Sequence, residues 1–219
     1  MLQNSFGKNI KHVVFDLDGV LINSINNMQK SWEAVVDKFC LDIPFSLFRE
    51  QIGRPFNEAL INLSISNLNF EEIEFEYNRV SVKYQGLITV YEGVINLLSR
   101  LNSSKIEISI VTSKPINRTL SIGEDKFNGI EFRSVIAPEM VNSGRGKPCP
   151  DQLLLSFVKS GVSQANTIYI GDTELDRVSA KEANCRFLFA EWGYGVSSTY
   201  GDFALKSIND LESFIFNEY

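Results

Sequence analysis

Short apolar runs rich in β-branched residues punctuate the chain at 12–15 (His-Val-Val-Phe), 106–111 (Ile-Glu-Ile-Ser-Ile-Val), 134–137 (Ser-Val-Ile-Ala) and 167–170 (Thr-Ile-Tyr-Ile), with a fifth candidate at 185–190. Near-continuous apolar runs of this length predict parallel strands buried on both faces. Between them, 93–101, 116–121, 151–160 and 174–184 carry helical patterns. The alternation predicts βαβ units and an α/β fold, a doubly wound, mostly parallel sheet. The tail, 209–219, reads as a closing helix through Leu211, Phe214, Ile215 and Phe216.

One stretch breaks this rhythm. From 24 to 88 no strand pattern stands out, and apolar residues recur at helical spacing: Met28, Trp32, Val35, Val36 and Phe39, then Ile73, Tyr77, Val80 and Tyr84. Pro44 and Gly53-Arg54-Pro55 punctuate it. The expected organisation is an α/β core over 1–23 and 89–219, with a small helical insert over 24–88 after the first strand. Its two connections, near Asn23 and near Tyr91-Glu92-Gly93, should lie close together, and an insert on two linkers can rock as a lid.

Composition narrows the class. The 219 residues are 44% hydrophobic and 22% charged, as in a soluble globular protein. Disorder, collagen, a disulfide scaffold and a membrane channel are excluded, and no apolar run spans a bilayer. Twenty-seven acidic against twenty-one basic residues give a net charge of −6, a poor match to nucleic acid or an anionic membrane. Cys40, Cys149 and Cys185 are odd in number and lack metal-type spacing, so they read as reduced thiols of a cytoplasmic protein. Residues 1–9 lack the apolar stretch of a signal peptide.

Four segments carry candidate chemistry. In Asp16-Leu17-Asp18-Gly19-Val20, two carboxylates follow a buried strand, where open α/β sheets bind ligands. If their environments differ, the ionised one can serve as nucleophile or metal ligand and the protonated one as general acid; a plain acidic turn is the alternative. In Val111-Thr112-Ser113-Lys114-Pro115, a hydroxyl pair ends the second strand and can cap the next helix or hold an anion at its N-terminus. Lys147, in Gly146-Lys147-Pro148-Cys149-Pro150-Asp151, is held on a proline-stiffened loop and is either a solvated lysine or a counter-charge for phosphate or crowded carboxylates. In Ile170-Gly171-Asp172-Thr173-Glu174-Leu175-Asp176, Asp172 ends a strand and Asp176 falls in the first helical turn. Oxygen ligands of this kind suit Mg²⁺, and helix capping is the competing role. Each signal is modest alone. Together they gather carboxylates, a hydroxyl and a lysine at one sheet edge.

In that order these motifs resemble the haloacid dehalogenase-like hydrolases, and within them the phosphoglycolate phosphatase and β-phosphoglucomutase branch, which places a small helical cap after the first motif. The likeness runs from Val13 to about Asn184. It implies a Rossmann-type core with 24–88 as the cap. It also implies Asp16 as a nucleophile forming an aspartyl-phosphate, and Asp18 as acid and then base. Thr112 would hydrogen-bond the phosphoryl group, and Lys147 would balance charge. Asp16, Asp172 and the carbonyl of Asp18 would hold Mg²⁺, with Asp176 supporting that shell. Ser113 and the cap residue Arg54 are candidate substrate contacts. Two positions depart from the family pattern: Asn23-Ser24 stands where Asp-Ser is common, and Glu92 where Pro is common. The resemblance implies a Mg²⁺-dependent phosphatase acting on a small phosphorylated metabolite; a phosphomutase of the β-phosphoglucomutase type is the alternative. A dehalogenase is disfavoured, because a halide leaving group needs no Asp18. His12, Trp32, Phe39, Tyr77 and Tyr84 read as structural. Oligomeric state stays open.

Overall fold

A computed structural model describes residues 10–65, 68–142, 145–195 and 204–216. Residues 1–9, read as lacking a signal peptide, and the last three residues of the expected tail helix lie outside them.

The main sheet joins β1 (His12–Phe15), β4 (Glu107–Val111), β5 (Ser134–Ile136), β6 (Thr167–Gly171), β7 (Arg186–Ala190) and β8 (Ala204–Leu205). Its order is β5-β4-β1-β6-β7-β8 and every pairing is parallel. It is a doubly wound α/β sheet. The order reverses at β1, so β1 sits centrally between β4 and β6, and the crevice beyond its carboxyl end is the expected ligand site.

The alternation of side chains along each strand builds two apolar layers. On one face Val13, Phe15, Ile108, Ile110, Ile168 and Ile170 pack with α5 (Val94–Ser103) and α9 (Ile208–Phe216). On the other, Val14, Val111 and Tyr169 pack with Leu153 and Phe157 of α7 (Asp151–Ser160) and Ala180 of α8 (Glu174–Glu182). Burial on both faces is why these strands read as continuous apolar runs. The helix after β4, α6 (Ile116–Lys126), extends five residues past its expected end at 121. Gly93 is not the first residue of α5. It caps the helix with φ +84, a backbone state that Gly adopts freely.

Between Asn23 and Thr89 the chain is helical: α1 (Ile25–Phe39), α2 (Phe45–Arg49), α3 (Phe56–Asn62) and α4 (Phe70–Lys83). They enclose their own cluster of Trp32, Val35, Phe48, Leu60, Ile73 and Tyr77. Trp32 stacks on Phe48 with centroids 4.3 Å apart, and its indole N–H donates to the Ile43 carbonyl. Tyr84 does not join this cluster; it ends α4 and is exposed. The segment enters and leaves through an antiparallel ribbon, β2 (Ile22–Asn23) against β3 (Thr89–Val90). Two residues per strand give no periodicity to read, so this ribbon has no sequence signature. The three cysteines are unpaired.

His12 is fully buried between β4 and β6. Its Nε2 meets Ser109 Oγ at 2.8 Å, and its Nδ1 faces the hydroxyls of Ser160 and Thr167 at 3.2 and 3.3 Å. Burial pushes the imidazole pKa down to about 4 from its ordinary 6.5. Below pH 6.5 the unfolded chain therefore binds a proton that the folded chain refuses until about pH 4. Stability falls as the pH drops through that window, by about 2 kcal/mol between pH 8 and pH 5. Urea unfolding at the two pH values should show this loss in the wild type and about 2 kcal/mol less of it in His12→Phe. Equal losses would remove His12 from the account.

Candidate active site

Four strand ends and loops converge beyond β1. Asp16 follows β1, Thr112 follows β4, Asp172 follows β6, and Lys147 comes from the loop before α7. All four are buried. The backbone N–H of Asp16 donates to the Ile170 carbonyl at 2.8 Å and so carries the β1–β6 pairing into the site. Gly19 then turns the chain with φ +86, and a Cβ there would overlap the Asp172 carboxylate. Only Gly allows both the turn and that approach.

Lys147 is the hub. Its ammonium lies 2.8 Å from Asp16 Oδ1 and 2.7 Å from Asp176 Oδ1, with 1% of the side chain exposed. The Asp176 carboxylate is saturated. Oδ1 also accepts from the Tyr169 hydroxyl, and Oδ2 accepts from the backbone N–H and hydroxyl of Thr173. Thr173 and Asp176 form a capping box at the start of α8. Capping and site-building, posed as alternatives in the sequence, are one arrangement here.

Asp172 is the opposite case. Its Oδ2 accepts from the Tyr194 backbone N–H at 2.6 Å, while its buried Oδ1 has no partner. Asp16, Asp172 and Asp176 each place one oxygen within 4.8 Å of the others'. Burial pushes Asp16 up to about 7 against the pull of Lys147, with Asp176 and Asp18 adding to the rise. Burial, then Asp16 and Asp176, raise Asp172 well above the carboxylate range. Burial opposes the charge on Asp176 too, but Lys147 and the hydrogen bonds outweigh it and hold that carboxyl low. The same carboxylates keep Lys147 protonated despite its burial. Three buried carboxyl groups thus face a single ammonium, and one Asp172 oxygen has no partner. That donor set is hard, oxygen-only and buried, and it fits a divalent cation such as Mg²⁺.

Asp18 lies at the mouth of this cluster. Its Oδ1 accepts from Ser24 Oγ at 2.5 Å and its Oδ2 pairs with Lys114 at 3.2 Å. Ser24 is the N-cap residue of α1, but its side chain makes no cap bond; Asn23 Oδ1 accepts from the Ile25 N–H instead. The Ser24 hydroxyl also contacts that of Tyr194 at 3.2 Å. Ser24, Lys114 and Tyr194 carried no expectation from the sequence. A serine before a helix reads as a cap, a lysine in a loop reads as solvated, and Tyr194 lies 170 residues from its partner.

Above the carboxylates a cavity of about 90 Å³ opens between the strand ends and the helical segment. Asp16, Asp18, Thr112 and Lys147 line it from below, and Arg54, Tyr77 and Ser81 line it from above. Tyr77, expected in the core of the helical segment, is both core and cavity wall. Thr112 Oγ1 accepts from the Lys114 N–H at 3.1 Å. Ser113 lines the cavity, but its hydroxyl is committed to the Gly53 carbonyl at 2.7 Å, where it ties the core to the loop before Arg54. The hydroxyl expected to contact substrate thus also latches the two parts together.

Comparison with known proteins gives three results. A family profile described as haloacid dehalogenase-like hydrolase matches residues 13–190. Among curated proteins, Pyrophosphatase PpaX of Bacillus velezensis is 27% identical, with 93% of this chain and 95% of that protein covered. Phosphoglycolate phosphatase 1 of Pseudomonas aeruginosa is 25% identical over 83% of this chain and 70% of that protein. Among solved structures, CbbY from Rhodobacter sphaeroides in complex with phosphate superposes with a TM-score of 0.80 at 18% identity, covering 94% of this chain and 95% of that one. At that identity the likeness speaks for the fold alone.

Proposed function

The chain belongs to the haloacid dehalogenase-like hydrolases, and from that premise we propose a Mg²⁺-dependent phosphatase that hydrolyses a small phosphomonoester in the cytoplasm, through an aspartyl-phosphate on Asp16. Among the described residues no helix is long and apolar enough to cross a membrane. The observation that carries the reading is the pairing of two carboxylates with different surroundings: Asp16 clamped by buried Lys147, and Asp18 at the cavity mouth beside Ser24 and Lys114. The names of the two curated relatives, a pyrophosphatase and a phosphoglycolate phosphatase, point to compact phosphorylated substrates, and the small cavity agrees.

In this mechanism Lys147 fixes Asp16 through Oδ1 and leaves the other carboxylate oxygen to attack phosphorus in line with the leaving oxygen. As the bond to the leaving oxygen breaks, Asp18 gives that oxygen a proton. Thr112 and Lys147 meet the phosphoryl oxygens. In the second half Asp18 takes a proton from water, the water oxygen bonds to phosphorus, and the bond to Asp16 breaks to release phosphate. Ser24 and Lys114 orient the Asp18 carboxylate for both transfers. Asp16, Asp172 and the Asp18 carbonyl would hold Mg²⁺, and Asp176, already saturated, would hold Lys147 beside them. Bound there, the ion neutralises phosphoryl and carboxylate charge.

The test is phosphate release from a panel of phosphomonoesters, phosphoglycolate and pyrophosphate included, with Mg²⁺ and with EDTA. Turnover is expected only with Mg²⁺. Without substrate, Mg²⁺ at 100 times its Kd should stabilise the fold by about 2.7 kcal/mol, and EDTA should reverse this. A folded protein that releases no phosphate from any member, and whose melting ignores Mg²⁺, would refute the proposal.

A further inference from the structure

The phosphatase reading places the reacting phosphoryl group over Asp16 but leaves Arg54, Glu74 and Arg118 of the cavity lining unused, and of these only Arg118 is buried. Arg118, on α6, is 95% buried by its 5% exposure and lines the cavity beside Ser81 and Tyr77. Its Nη1 donates to Gln85 Oε1 at 2.9 Å and its Nη2 to Ser81 Oγ at 3.2 Å. Both acceptors are neutral. A guanidinium carries five N–H donors, and its buried Nε has no partner. Among the described residues no carboxylate pairs with it. A cation is rarely buried without a counter-charge. Its neighbours Lys147 and Lys114 each make a salt bridge to a carboxylate, whereas Arg118 hydrogen-bonds only neutral acceptors and feels Asp18 through space alone.

Ser81 is held so as to present the arginine rather than to neutralise it. Its hydroxyl donates to Asn27 Oδ1 at 2.8 Å and its carbonyl accepts from Asn27 Nδ2 at 2.9 Å. The Arg118 side chain is thus braced on α4 while its root stays on the core. A planar, permanently charged fork fixed in a cavity wall is suited to a carboxylate or phosphate oxygen pair.

We propose that Arg118 receives a second anionic group of the substrate, so that the preferred substrate is a compact phosphomonoester or phosphoanhydride carrying another carboxylate or phosphate. The inference rests on the phosphatase reading for which end reacts, but not for the second-anion contact itself.

The test compares 2-phosphoglycolate with ethyl phosphate, which keeps the phosphoryl group and lacks the second anion. Calorimetric titration of Mg²⁺-loaded Asp16→Asn protein should give about 10- to 100-fold tighter binding of phosphoglycolate, the worth of a charged hydrogen-bond pair. Adding Arg118→Gln should collapse that ratio towards one, and Arg118→Lys should keep part of it. In turnover by otherwise wild-type protein, the same collapse should fall on the ratio of KM values. A purely bracing role for Arg118 would weaken both ligands in parallel and leave the ratio intact, which overturns the proposal. So does equal binding of the two ligands before any change at Arg118. Failure to hydrolyse any phosphomonoester while the binding preference persists would sink the phosphatase reading and leave the Arg118 assignment supported.

Discussion

Asp16→Asn should lose turnover by at least about 10⁴-fold and yet, without divalent cations, unfold less readily than the wild type. The loss of activity follows from chemistry: a neutral amide oxygen is a poor nucleophile towards phosphorus. The gain in stability follows from the charge count. Asp16, Asp172 and Asp176 crowd around a single ammonium, and burial drives Asp16 up to about 7. Above that pH the folded protein must hold a charge it disfavours, while the unfolded chain ionises freely from about pH 3.8. The wild type is therefore destabilised as the pH rises from about 4 to 7, and an amide removes that burden. Asn keeps the shape and an oxygen that can accept from Lys147. We expect a gain of roughly 1–3 kcal/mol at pH 8 in EDTA, read by urea unfolding, and a smaller or reversed difference in Mg²⁺. Such opposed effects mark a site built for function at the expense of stability. Unchanged activity would dismiss Asp16 as nucleophile; lowered stability in EDTA would show that the carboxylates are not in conflict.

Much of this site could be read from the chain because local grammar and function coincide there. A buried parallel strand must end in a turn, and Asp16-Leu17-Asp18-Gly19 and Gly171-Asp172 announce both the turn and the carboxylates. Apolar runs at 12–15, 106–111 and 167–170 fall within a residue of β1, β4 and β6, since strands buried on both faces leave little else to choose. What was illegible depends on tertiary placement. Ser24 obeys the sequence rule for an N-cap and breaks it in space, because the Asp18 carboxylate is the stronger acceptor for its hydroxyl. Arg118 falls within an ordinary amphipathic helix, and its partners Gln85 and Ser81 lie 33 and 37 residues away along the chain. Lys114 and Lys147 look alike as sequence, both followed by proline. The first is partly exposed at 11% and the second 1%, and that difference is set by neighbours far along the chain.

The deeper lysine gives the second large effect. Lys147→Met keeps the stem and the volume and removes only the ammonium, so packing should survive. What remains is three buried carboxylates with no cation among them. Breaking a buried ion pair from one side typically costs about 3–5 kcal/mol, and in a chain of 219 residues this lowers Tm by roughly 10 °C in EDTA. The Tyr169 and Thr173 hydroxyls would still donate to Asp176, so that residue should stay in place while Asp16 and Asp172 repel. Two consequences separate this from general damage. Mg²⁺ should raise the Tm of Lys147→Met by more than it raises that of the wild type, because the ion then meets a more negative site with no ammonium competing for Asp16. And Asp16→Asn should add more stability to Lys147→Met than it adds to the wild type, a coupling energy of at least about 1 kcal/mol between the two changes. Activity should recover in neither case, since Lys147 is also needed at the phosphoryl oxygens. Additive effects with no extra response to Mg²⁺ would mean that Lys147 is a packing residue and that its ammonium does not hold these carboxylates together.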